Sequence, residues 1–122
     1  MSRQALGDAG ERLAERLLVK KGYTILERQW RVRTGEIDLV ALDGDLLVFC
    51  EVKTRRGAAR GAAEEAVDPA KAARLLALGE DYVEAHPEHA ARFWRVDLLA
   101  ITLGPDGRVA RVSHIEDAIQ SE

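Results

Sequence analysis

Hydrophobic spacing changes period several times along the chain, and each change marks a new element. Over residues 3–21, Leu6, Gly10, Leu13, Ala14, Leu17 and Leu18 recur at three- and four-residue intervals, the buried stripe of an amphipathic helix. Gly7, Gly10 and Ala14 would let that helix approach a sheet closely. Gly22, after Lys20 and Lys21, is a typical helix stop. The period then drops to two. Tyr23 to Trp30 predicts a first strand, residues 31–34 a connection, Gly35 to Leu42 a second strand and Asp45 to Thr54 a third. Asp68-Pro69 signals a new helix, with Asp as N-cap and Pro at the first helical position. Its stripe is Ala72, Leu75, Leu76, Gly79, Tyr82 and Val83, and His86-Pro87 ends it. Phe93 to Thr102 and Val109 to Ile115 predict two further strands around a 103–107 turn, with residues 116–122 as a frayed tail. The small, basic run 55–63 reads as a flexible loop.

The order is therefore α-β-β-β-α-β-β. A helical crossover between the third and fourth strands should be right-handed and leave them parallel. The expectation is an α/β fold, a mixed sheet of about five strands between two main helices, forming one domain over residues 1–122.

Asp43-Gly44, between two apolar runs, signals a two-residue hairpin turn. With those two residues as the loop, paired residue numbers sum to 87, so Asp38 faces Phe49 and Glu36 faces Glu51. Alternation then puts Ile37, Leu39, Ala41, Leu46, Val48, Cys50 and Val52 on one wholly apolar face. The other face carries Val40, Leu42, Leu47 and Phe49 near the turn, then Glu36, Asp38, Glu51 and Lys53. Charges inside strands this apolar are costly unless something pairs them. Asp38 and Glu51 become diagonal neighbours, roughly 7 Å apart at the backbone, a gap one cation could bridge.

Composition narrows the classes. At 122 residues, 47% hydrophobic and 32% charged, the chain resembles an ordinary globular protein. No apolar run reaches the length of a membrane span, and the N-terminus lacks a signal-peptide pattern, so a cytoplasmic location is expected. The single Cys50 can form no internal disulfide and reads as core. The net charge of −3 does not advertise nucleic-acid binding, but it is unevenly spread. Residues 1–60 hold 12 Lys+Arg against 9 Asp+Glu, and residues 61–122 hold 6 against 12. The half with the charged hairpin is the basic half, and phosphate binding depends on local patches.

Two carboxylates beside a lysine suit phosphodiester hydrolysis. Mg²⁺ takes one or two carboxylates and completes its octahedron with water and substrate oxygens. Asp38 and Glu51 fit that need, and the Val52 carbonyl, on the edge between them, is a further donor. Lys53, on the same face as Glu51, could position the attacking water or balance transition-state charge. An ion-pair network at a strand end is the alternative that spacing alone leaves open.

Asp38, twelve intervening residues, then Glu51-Val52-Lys53 resembles the PD-(D/E)xK nuclease superfamily, which includes restriction-endonuclease-like and Holliday-junction-resolvase-like folds. More narrowly, Gly35-Glu36-Ile37-Asp38-Leu39-Val40-Ala41 with Val48-Phe49-Cys50-Glu51-Val52-Lys53-Thr54-Arg55 resembles the YraN family of small bacterial proteins. The likeness extends through Gly10-Glu11, Gly22-Tyr23-Thr24-Ile25-Leu26, residues 67–74 and Arg95-Val96-Asp97. It implies a restriction-endonuclease-like three-layer core, with Asp38 and Glu51 as metal ligands and Lys53 as catalytic. Glu11, bordering the stripe of the first helix, is implied as a further ligand. The superfamily's nominal Pro before the Asp is Ile37 here. The expected activity is a Mg²⁺- or Mn²⁺-dependent DNA endonuclease acting on branched or structured DNA. By analogy with the resolvases, a homodimer is expected. The alternative is a nuclease-fold protein without turnover, serving as a nucleic-acid-binding or adaptor module.

Glu36 reads as a residue supporting the metal ligands or as a solvated one. Arg31, Arg33, Arg55, Arg56, Arg60 and Lys71 are candidates for gripping phosphates, with a solvated surface as the plainer reading. Lys71 is slightly odd, since a cation in the first turn of a helix opposes the helix dipole. Asp97 reads as a structural partner of Arg95, Trp30 and Trp94 as packing residues, and His86, His89 and His114 as surface residues.

Overall fold

The computed structural model describes residues 2–57 and 67–119. Helix α1, Arg3–Lys20, starts where the Ser2 hydroxyl accepts a hydrogen bond from the Ala5 N–H. It ends where Gly22 turns left-handed, with Tyr23 N–H closing onto Leu18 O. Strands β1 (Thr24–Val32), β2 (Gly35–Asp43) and β3 (Leu46–Arg56) form the antiparallel meander. Helix α2, Pro69–Ala85, starts on the Asp68 side chain, which accepts from Lys71 N–H at 2.8 Å. Strands β4 (Trp94–Leu103) and β5 (Val109–Ile119) complete a five-stranded sheet in sequential order. β3 and β4 are parallel and the other neighbours antiparallel, as the helical crossover requires.

The two helices cover opposite faces. Ala14 and Leu18 of α1 pack with Tyr23, Leu39, Val48, Cys50 and Leu99. Leu75, Leu78 and Tyr82 of α2 pack with Val40, Leu47, Phe49 and Val96. Two glycines set the helix–sheet distance. A Cβ on Gly10 would fall on the Thr54 hydroxyl, and one on Gly79 would lie 2.7 Å from the Trp94 ring. Among the described residues, no helix is long and apolar enough to cross a membrane.

The hairpin register differs from the expectation. Asp43 pairs with Leu46 and Leu39 with Cys50, so partner numbers sum to 89, and the loop is Gly44-Asp45. Only the first loop residue, Gly44, has positive φ, at 61°, the pattern of a type II′ turn; an Asp-Gly loop would need a type I′ turn. A shift of two residues preserves which face each side chain takes. It brings Asp38 level with Glu51 instead of Phe49.

Three further expectations are corrected. Ile37 belongs to the α2-side cluster, apart from Leu39, because it packs there together with Trp30, its partner on β1. The tail does not fray at residue 116, since β5 continues to Ile119 and Asp117 N–H donates to Asp97. The histidines are not surface residues. His89 is buried, the His114 side chain is 5% exposed, and His86 stacks on Tyr82 with ring centroids 3.9 Å apart. The basic run begins inside β3, which reaches Arg56; Arg60 and the rest of 58–66 lie outside the described residues.

Candidate functional site

The site forms where the sheet divides. The β1–β2 ladder runs on to Val32 and Gly35, but the β2–β3 ladder stops at Leu39 and Cys50. Beyond that point β2 leaves β3, and Asp38 sits at the fork. Its carboxyl replaces a missing backbone acceptor: Val52 N–H donates to Asp38 Oδ2 at 2.8 Å. Opposite Asp38 on β1, between the Arg28–Leu39 and Trp30–Ile37 pairs, stands Gln29, which takes a left-handed φ of 49°. Such a conformation is unusual for a residue other than glycine. The Gln29 amide donates to Glu11 Oε1 at 3.1 Å, tying β1 to α1 beside the fork.

Asp38 is buried, and its carboxyl lies in hydrogen-bonding contact with that of Glu51. Burial, then the bond and charge of Glu51, raise Asp38 to about 9, against the opposing Val52 N–H. Glu51 itself is held by Lys71, whose Nζ lies 2.6 Å from Oε2. The Val52 carbonyl leaves the strand on the same side as its N–H, toward Asp38. Lys53 follows Glu51 on the same face of β3, partly exposed, with no ion-pair partner among the described residues.

Other candidates are placed less centrally. Glu11 lies close enough for its charge to act on Asp38, and burial, followed by the Glu36, Asp8 and Glu51 charges, raises its own pKa despite the Gln29 bond. It does not join a three-ligand cluster: among the described residues, no group of three or more acidic, His or Cys side chains is placed to hold a metal ion. Glu36 faces Arg31 on β1, not Glu51, and their side chains pair at 2.7 Å. Arg31 is thus partly neutralised. Arg33 and Arg56 are exposed, while Arg55 is half-buried and engaged with a neighbour. Lys71 is turned to Glu51.

Sequence reasoning missed Gln29 and the Lys71–Glu51 pair. Nothing in strand periodicity marks a left-handed residue. Lys71 did leave a signal, as a cation in a helix's first turn that needs a local anion. A second charged cluster, around Asp97, is structural as expected. Asp97 is fully buried and receives Arg95 Nε at 2.8 Å, His114 Nε2 at 2.8 Å and Asp117 N–H at 2.9 Å. Burial works to raise its pKa, but the His114, Arg95 and Asp117 hydrogen bonds prevail and lower it.

The donor set suits a hard divalent cation. Two carboxylates and a strand-edge carbonyl supply oxygen only, and Mg²⁺ needs no more from a protein. The mutual repulsion of Asp38 and Glu51 is what a cation there would relieve. Fold and site together define a small α/β domain with an acidic pair and a lysine at a divided sheet.

Comparison with known proteins gives the family. The chain belongs to the family described as Uncharacterised protein family UPF0102, which matches residues 10–101 and is the YraN family of the motif resemblance. A UPF0102 protein of Kineococcus radiotolerans is 48% identical over 114 residues, covering 93% of each chain. One from Roseiflexus castenholzii is 45% identical over 119 residues, covering 97% of this chain and 95% of its own. UPF0102 protein SCO5602 of Streptomyces coelicolor is 50% identical over 107 residues, covering 87% and 82%.

Proposed function

We propose that this protein is a metal-dependent DNA endonuclease of the PD-(D/E)xK type. The observation that carries the reading is the buried Asp38–Glu51 pair at the fork, with Lys53 beside it on the same face and unpaired among the described residues. Lys53 is partly exposed and makes no ion pair among the described residues, so a structural network does not account for it.

In this reading Asp38, Glu51 and the Val52 carbonyl hold Mg²⁺ or Mn²⁺. When bound, the ion lowers the pKa of water and neutralises charge on the phosphate. Asp38 is held in place by Val52 N–H, so one oxygen is oriented before any ligand arrives. Lys53 donates to the attacking water or to a phosphate oxygen, where charge develops. Arg33, Arg55 and Arg56 hold the DNA backbone and read no base edges, so shape is preferred over sequence. Branched DNA suits such recognition, and cutting both strands would take two copies of the chain. Glu11, fixed by Gln29, supports the site from α1.

The competing reading is a DNA-binding module without turnover, favoured by one observation: Glu51 is already neutralised by Lys71. Incubation with linear, flap, single-stranded and four-way-junction DNA in Mg²⁺ or Mn²⁺ separates the two. Cleavage that disappears in Asp38→Ala and Lys53→Ala supports the nuclease. Cleavage that persists in both variants would sink it, and intact DNA binding without cleavage on any substrate favours the module.

A further inference from the structure

The contact between Lys71 and Glu51 has a second side. Glu51 stands on β3, and Lys71 in the first turn of α2, so the pair links the sheet to the helix that covers it. The Glu51 side chain is only 11% exposed, whereas that of Lys71 is 30% exposed. The ammonium can therefore swing outward on its flexible stem without unpacking α2, while Glu51 stays. Next along the helix, Arg74 is exposed, and with Gly35, Glu36, Glu51 and Lys71 it lines a cleft of about 100 Å³. That volume admits little more than a few waters or an ion, not a nucleotide. An arriving phosphate would sit at the mouth of this cleft, within reach of Lys71 and Arg74.

We propose that Lys71 is an exchangeable counter-cation: it neutralises Glu51 in the free protein, yields Glu51 to the divalent ion, and then takes up a DNA phosphate. The proposal rests on the reading of Asp38 and Glu51 as metal ligands. Lys71 holds Glu51 Oε2 at 2.6 Å, and a divalent ion on the same carboxylate would repel its ammonium, so the two compete for Glu51. A lysine released from a carboxylate regains full value as a phosphate contact. Metal and DNA are thereby linked: each favours the other's binding, by the same factor in both directions.

Calorimetric titration with Mn²⁺ alone, and fluorescence anisotropy with a labelled four-way junction, test this without reference to activity. Lys71→Ala and Lys71→Gln should bind Mn²⁺ about 5- to 20-fold more tightly than wild type. In a Lys53→Met background, which blocks turnover in this reading, Lys71→Ala should weaken junction binding with Mn²⁺ present and leave it nearly unchanged in chelator. Glu51→Gln should tighten junction binding in chelator, because it frees Lys71 with no metal at all. Unchanged or weaker Mn²⁺ affinity in both Lys71 variants, with wild type binding Mn²⁺, overturns the exchange and leaves the metal site standing. No Mn²⁺ binding by wild type, Lys71→Ala or Asp38→Ala overturns both.

Discussion

Replacing Asp38 with Asn should make the protein more stable in the absence of metal, although it removes the central acidic group. Asn keeps an oxygen for Val52 N–H and offers an N–H to Glu51, so the local bonds survive. What it removes is a titration. Burial and Glu51 raise Asp38 from 3.8 to about 9 in the folded protein. Between those values the folded state holds a proton that the unfolded chain releases, so wild-type stability falls as pH rises. Each pH unit contributes about 1.4 kcal/mol, a ceiling of roughly 4 kcal/mol by neutral pH. We expect Asp38→Asn to gain about 1–4 kcal/mol near pH 7, the gap closing toward about pH 4 and widening toward about pH 9. Urea unfolding followed by Trp30 and Trp94 fluorescence, at several pH values in chelator, measures it. A variant less stable than wild type, or a gap that does not change with pH, would refute the reasoning. On the proposed metal reading, adding Mn²⁺ should reverse the order, since only wild type retains both candidate carboxylates.

Other perturbations separate the site from the scaffold. Asp97→Ala should cost about 3–5 kcal/mol, because it takes the buried carboxylate from Arg95 and His114 and leaves Asp117 N–H without its acceptor; a loss under about 1 kcal/mol would contradict the buried network. Asp97 has a lowered pKa, so its contribution is present above the ordinary carboxylate range and is lost as pH falls below it, the opposite slope to Asp38. Circular dichroism through an acid titration should show Asp97→Asn losing the steep part of acid unfolding. Gly10→Ala should lower stability by about 1–3 kcal/mol, with partial rescue by Thr54→Ala, since the new methyl collides with the Thr54 side chain. An unchanged melting temperature would mean that α1 is not held this close. On the nuclease reading, Lys53→Met should abolish cleavage yet shift stability by less than about 0.5 kcal/mol, because no described residue pairs with the ammonium.

Much of the architecture was legible because it follows from local rules. Capping signals at Asp68-Pro69 and Gly22 marked true helix limits, and period-two runs marked the five strands. The parallel β3–β4 pair followed from the helix between them. The hairpin register did not follow, because Asp43-Gly44-Asp45 supports two turn types that differ by two residues, and the choice depends on how the flanking strands twist. The faces were legible all the same, since both registers share a parity. Beyond Leu39 parity failed as well. Ile37 changes sides because the hairpin end is held by Trp30 on Tyr82 and Ile37 in the α2 cluster, contacts between residues far apart in sequence. The acidic pair was visible as misplaced charge, but its counter-ion came from α2, and only the tertiary fold could bring Lys71 there.

The carboxyl at position 38 closes the end of a ladder as well as facing Glu51, so the strand itself depends on it. Selection for folding alone would therefore keep an acceptor there after any loss of chemistry. If the protein is the nuclease proposed above, a descendant that no longer cut DNA would still carry Asp38, or settle on Asn, and still look like a nuclease at that position. Lys53 has no such second employment among the described residues. It would drift first, and its replacement, rather than the fate of Asp38, is the mark by which a silent lineage could be told from a working one.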